Sequence, residues 1–231
     1  MNPNYIGLSI LEFDDKNEFK ILHKEVIDFT KLTKKSGEAS KHKSSKYLVN
    51  KREFEHYQAI KYILEIAKRF KVSKIVIEEL NIKSGNKGKG RNFNRLTNNI
   101  WNRGKIVGNL TKRCNINEIE LIGVNAAYSS FVGNVQYGNK DCPDMIASSI
   151  EIARRGYRKY SKEWFYPKRK NVENLQKLWK QDVNWSSMDW KEIYSLFKKE
   201  SKLKYRFPLD SSQKVLRLKS FKSNTLLYKF K

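Results

Sequence analysis

Two carboxylates in this sequence stand where chemistry can be built. Glu78 closes the short apolar run Lys74-Ile75-Val76-Ile77, and open α/β sheets gather their ligands at the C-terminal ends of strands. Asp144 follows Pro143 and precedes the small residues Ala147, Ser148 and Ser149, a composition that starts a helix and lets it approach a sheet closely. Two such carboxylates can converge on one point from distant parts of the chain. Oxygen-only ligation suits Mg²⁺ or Mn²⁺, and a pair of these ions clamps the attacking and leaving oxygens of a phosphodiester. The plain alternative is a Glu that ends a strand and an Asp that caps a helix, and on spacing alone that is the commoner arrangement.

The elements that must position these residues follow from periodicity. Residues 4–13 and 19–29 mix apolar and small residues as strands do, and Asp14-Asp15-Lys16-Asn17 between them makes a hairpin. Residues 31–46 lack an apolar period and form a loop, whereas over 51–70 Phe54, Tyr57, Ile63, Leu64 and Ala67 recur at helical spacing. The run ending at Glu78 is a strand, 92–113 a helix, 119–125 a strand, 126–142 a loop and 143–160 a helix. This order makes a mixed α/β domain, a partly antiparallel sheet flanked by helices, over residues 1–160. Residues 161–231 form a basic, Trp-rich C-terminal appendage, with helices expected at 171–181 and 188–201 and a hairpin pairing 214–218 with 225–230. Its tryptophans serve a core in preference to stacking on bases.

Composition narrows the function. At 231 residues the chain can bury an ordinary core, and 39% apolar with 13% aromatic content exceeds that of a disordered basic tail. The absence of a long apolar run and of a basic-then-apolar leader points to a cytoplasmic protein with no membrane partner. Only Cys114 and Cys142 are present, without His neighbours, so neither a disulfide framework nor a zinc site can be assembled and both are read as reduced structural thiols.

The net charge is +24, from 48 basic and 24 acidic residues. No acid occurs between Glu79 and Glu118, a stretch that holds Lys83, Lys87, Lys89, Arg91 and Arg95 among others. One such run is most often a solvated face. Repeated runs and a basic tail in one small chain fit a nucleic acid, whose phosphates release counterions when neutralised. Arg154 and Arg155, on the helix that Asp144 begins, suit either a phosphate or a solvated helical face.

Three separated blocks carry a resemblance. Asn2-Pro3-Asn4-Tyr5-Ile6-Gly7-Leu8-Ser9-Ile10, Ile75-Val76-Ile77-Glu78-Glu79-Leu80-Asn81-Ile82-Lys83 and Asp144-Met145-Ile146-Ala147-Ser148-Ser149-Ile150 continuing to Arg155 resemble, in order, the RuvC-type blocks of TnpB-like transposon nucleases and the related type V CRISPR effectors. The resemblance spans residues 2–160. It implies an RNase H-like nuclease domain in which carboxylates bind Mg²⁺ or Mn²⁺ and DNA is cut, usually under a guide RNA. It also selects Glu78 over Glu79 and Asp144 over Asp141 as metal ligands.

The chain departs from that family twice. Its first block normally reads Asp, any residue, Asn, Pro, Asn, which puts the catalytic Asp one position ahead of Met1, so this chain is expected to lack that ligand. Asp14 and Asp15 cannot replace it, lying about 12 residues from Asn2, on the order of 40 Å along a strand. Relatives also carry four cysteines ahead of the last Asp, where this chain has the short Phe131–Cys142 segment, so zinc is not expected.

Overall fold

The computed structural model describes residues 4–16, 18–30, 46–79, 103–157, 166–167, 169–179, 183–199, 206 and 215–217. The hairpin forms as expected. Strands β1 (Tyr5–Phe13) and β2 (Phe19–Asp28) pair antiparallel from Tyr5↔Asp28 to Phe13↔Phe19, with an irregularity between Ile10 and Leu11. Asp14 closes the turn: its amide donates to the Glu18 carbonyl at 3.0 Å, and its Oδ1 accepts from the Glu18 amide at 2.8 Å. That role holds it at the far end of β1 from Tyr5.

Helix α1 (Lys46–Arg69) begins five residues earlier than its apolar period predicts and ends on Lys68 and Arg69, where cations favour the helix terminus. Strand β3 (Lys74–Glu79) follows, then α2 (Arg103–Ile116) and β4 (Glu120–Asn125). The part of the expected helix over 92–102, and the loop over 31–45, lie outside the described residues. β3 and β4 pair in parallel from Lys74↔Glu120 to Glu79↔Asn125.

The segment read as a loop contains a helix, α3 (Ser129–Tyr137), and α4 (Asp144–Tyr157) comes next. Serines and a glycine disguise α3, but Phe131, Val132 and Val135 share one side of it and are buried. They join Leu175 of α5 (Arg169–Leu178), Trp185 in the 3₁₀ turn Trp185–Ser187, and Trp190, Ile193 and Phe197 of α6 (Trp190–Lys199) in a single core. Trp185 and Trp190 are thus core residues, as expected. Strand β5 (Val215–Arg217) pairs in parallel with β2 through Val26↔Val215, and the partner expected for it in a hairpin, 225–230, lies outside the described residues.

The sheets are β1-β2-β5 and β3-β4. Helices cover both faces. On one side α1 supplies Ala59 and Ile63 to Ile6 and Ile27 of the first sheet, and Ile60, Leu64 and Ala67, with Ile106 and Leu110 of α2, to Ile75, Ile77 and Leu121 of the second. On the other side α4 sets Ile146 and Ile150 against Val26, and Ile152 against Ile122, Val124 and Val76. Two glycines permit this approach: a methyl group on Gly7 would overlap the Met145 carbonyl, and one on Gly156 would overlap the Val76 side chain. Among the described residues no helix is long and apolar enough to cross a membrane.

Candidate metal-binding site

Strand alternation decides which glutamate faces α4. Side chains two apart share a face, and Ile75 and Ile77 point into the core that α1 and α2 cover. Val76 points the opposite way, onto Gly156 and Ile152 of α4, and Glu78 shares the Val76 face. Glu79 turns back to the other face and lies over Gly123 of β4. Glu78 is half-buried and Glu79 exposed. The backbone carbonyl of Glu78 accepts from Arg103 Nη2 at 3.0 Å, which ties the end of β3 to the first turn of α2.

Asp144 is the first helical residue of α4. The Pro143 carbonyl takes the first helix bonds, from the amides of Ile146 and Ala147 at 2.9 Å each. The Asp144 carboxylate is held from outside its own helix: Asn134 of α3 donates Nδ2 to Asp144 Oδ1, and to the Ser130 carbonyl at 2.7 Å. Ser148 lies one turn along α4; its Oγ donates to the Asp144 carbonyl at 2.7 Å and can accept from the Ser130 hydroxyl at 3.0 Å. Asn134 is 3% exposed. Its role was not visible in the sequence, although Ser130 and Asn134 lie four residues apart and so share a helical face.

Glu78, Asp144, Ser130 and Ser148 all line one cavity of about 680 Å³ between β1, β3, α1 and α4, whose wall also includes Arg206. The two carboxylates named from the sequence are therefore neighbours of one space, although 66 positions separate them in the chain. Among the described residues no group of three or more His, Cys, Asp and Glu is placed to hold a metal. Mg²⁺ keeps several waters and takes only one or two carboxylates when phosphate supplies the rest, so two half-buried carboxylates on an open wall fit such an ion.

The expected nucleic-acid contacts divide. Lys83, Lys87, Lys89, Arg91 and Arg95 lie outside the described residues. Arg154 donates Nε and Nη2 to the two oxygens of Glu151, both at 2.9 Å. Arg155 is neither a phosphate contact at the surface nor part of a solvated face, for it is 3% exposed. Its Nε reaches Glu151 Oε1 at 2.8 Å, and its Nη1 reaches the carbonyls of Asn125 and Ala127 at 2.7 and 2.9 Å. It thereby fastens α4 to the loop between β4 and α3. Cys114 and Cys142 are buried and unbridged, and burial pushes both thiols up, as expected of structural cysteines.

No family model matches the chain, and no curated protein matches it. Among solved structures, T. thermophilus RuvC in complex with Holliday junction substrate is similar with a TM-score of 0.41 and 12% sequence identity, covering 66% of this chain and 86% of that one.

Proposed function

We propose that this chain is an RNase H-like domain of the RuvC type, from a TnpB-like, RNA-guided DNA endonuclease that acts in the cytoplasm. The observation that carries the proposal is that Glu78 and Asp144 both line one cavity, with Glu79 turned to the opposite face of β3. The order of the three sequence blocks, and a net charge of +24 for a polyanionic partner, support it further.

Glu78 and Asp144 would hold Mg²⁺ or Mn²⁺, which supplies Lewis-acid polarisation of a phosphodiester. The protein's own part is positional. Asn134 donates to Oδ1 of Asp144 and fixes that oxygen, Arg103 fixes the end of β3 beneath Glu78, and Arg206 is part of the cavity wall. A second reading, nucleic-acid binding without cleavage, is favoured by one observation: among the described residues no third ligand joins the pair.

Two assays on the purified chain test the proposal. Binding to single-stranded DNA should weaken steeply with salt, with a log–log slope corresponding to about five to ten phosphates, and replacing Lys87, Lys89 and Arg91 together should weaken all sequences alike. A flat salt dependence would remove the nucleic-acid reading altogether. Cleavage that requires Mg²⁺ or Mn²⁺ and disappears in Glu78→Gln supports the nuclease. Salt-dependent binding without cleavage, with or without a guide RNA, leaves the second reading.

A further inference from the structure

Resting on the nucleic-acid part of the reading above, we infer that the groove between α1 and α2 is a second site, which seats an unstacked base of a single-stranded nucleic acid against the rings of Phe54 and Tyr57. Neither Glu78 nor Asp144 lines this groove. Ile60 and Ile106 line both it and the carboxylate cavity, and so stand between the two spaces.

Helical spacing builds the groove. Glu53, His56, Tyr57 and Ile60 share one face of α1, and Lys105, Ile106 and Asn109 line it from α2. Its volume is about 310 Å³, at the small end of ligand pockets, which suits one flat ring system. Two ties join the helices beside it: Lys105 Nζ lies 2.6 Å from Glu53 Oε1, and Arg113 donates to the Tyr57 hydroxyl.

One exposed ring needs no explanation, but here two stand one turn apart on the same groove, Phe54 57% and Tyr57 40% exposed. The Arg113 guanidinium covers one face of the Tyr57 ring, 4.5 Å from its centroid, and the ring's remaining exposure is available to a base. The groove is also polar at a buried point. His56 is 6% exposed, and its Nδ1 has no hydrogen-bond partner among the described residues. Burial keeps the imidazole neutral, so that Nδ1 donates or accepts according to the tautomer. A buried polar atom is seldom left unpaired, and with the Asn109 amide it faces a ligand that combines flat apolar faces with a donor and acceptor edge, as a nucleobase does.

Charge fixes the source of that ring. Helix α2 carries Arg103, Lys105, Lys112 and Arg113 and no acid, a field that suits the phosphates on either side of a seated base and gives nothing to a neutral aromatic ligand or an apolar peptide. Stacking on aromatic side chains tolerates any base. The groove therefore adds affinity for single strands, whose bases are free to leave their neighbours, without reading sequence.

The test compares, by fluorescence anisotropy on the full chain, a thymine single strand of about 12 nucleotides with an abasic strand of the same length. The intact strand should bind roughly fivefold tighter or more, as one stacked base predicts. In the double variant Phe54→Leu, Tyr57→Leu, which keeps apolar bulk at two exposed positions, that ratio should fall to within about twofold, whereas Tyr57→Phe, which keeps the ring, should preserve it. Equal affinity for the two strands in the parent would mean contact through phosphates alone and overturn the site while leaving the nucleic-acid reading in place. A ratio unchanged in the double variant would put the stacked base elsewhere and overturn it too, as would a dimer that the double variant dissolves, which would give the rings to a second copy of the chain. Binding of neither strand would sink the site and the nucleic-acid reading together. Base-dependent binding by a chain that does not cleave upholds the groove and removes only the nuclease.

Discussion

Asn134 and Asp144 sit on different helices, and the side-chain amide of the first donates to Oδ1 of the second. Asn134 is buried on α3, so the position of Asp144 depends on how α3 packs on α4. Replacing Asn134 by Leu keeps similar bulk and removes the donor. Because partners that orient a metal ligand typically change affinity by about 10–100-fold when lost, Mn²⁺ affinity should fall by roughly tenfold or more with the far-UV circular dichroism preserved. Unchanged affinity in a folded variant would mean that Asn134 serves packing alone.

Arg155 is the second long-range tie. Removing one partner of a buried ion pair costs about 3–5 kcal/mol, because the other is left uncompensated. Glu151 is fully buried but keeps Arg154, so Arg155→Ala should cost about 3 kcal/mol in urea unfolding, and Arg154→Ala, at a site 16% exposed, less. A loss below about 1 kcal/mol for Arg155→Ala would show that the Asn125 and Ala127 carbonyls find other donors.

These two ties mark what the sequence shows and what it hides. The hairpin, the strand ending at Glu78, the parallel partner at Glu120–Asn125 and the start of α4 are legible because each has a continuous local pattern. Glu151 and Arg155 stand four apart, a spacing that lets them pair on a helix, but from the sequence Arg155 suits a phosphate or a solvated face as well. That Arg155 is buried is not legible, since its other acceptors lie 28 and 30 residues away, in the loop after β4 and at the end of β4. Helix α3 is hidden for a related reason: Ser129, Ser130 and Gly133 are poor helix formers, and what holds the helix is Phe131, Val132 and Val135 packing on residues beyond 170. Of the candidate site, strand alternation makes Glu78 readable, whereas Asn134 acquires meaning only once two helices are brought together.

His56 gives a pH dependence of known sign. It is buried against the Phe29 ring, and burial first, then the Arg52 charge, lowers its pKa to about 4 from the ordinary 6.5. The unfolded chain therefore binds the extra proton between about pH 6.5 and 4, so this contribution is complete above pH 6.5 and lost as pH falls through that window. It amounts to on the order of 3 kcal/mol. Thermal unfolding from pH 7 to pH 4 should fall less steeply in His56→Phe than in the parent; parallel curves would mean that His56 is protonated in the folded chain.

The most direct test of the site is Mn²⁺ binding, followed by electron paramagnetic resonance, in four proteins: the parent, Glu78→Gln, Asp144→Asn and Glu79→Gln. Glu78 and Asp144 line one cavity, while Glu79 lies over Gly123 on the other face of the strand. Glu78→Gln and Asp144→Asn should each weaken binding by about tenfold or more, and Glu79→Gln should leave it within about twofold of the parent, as expected when carboxylate ligands are lost and retained respectively. Equal losses for Glu78→Gln and Glu79→Gln, or no loss for Asp144→Asn, would contradict a metal site shared by Glu78 and Asp144.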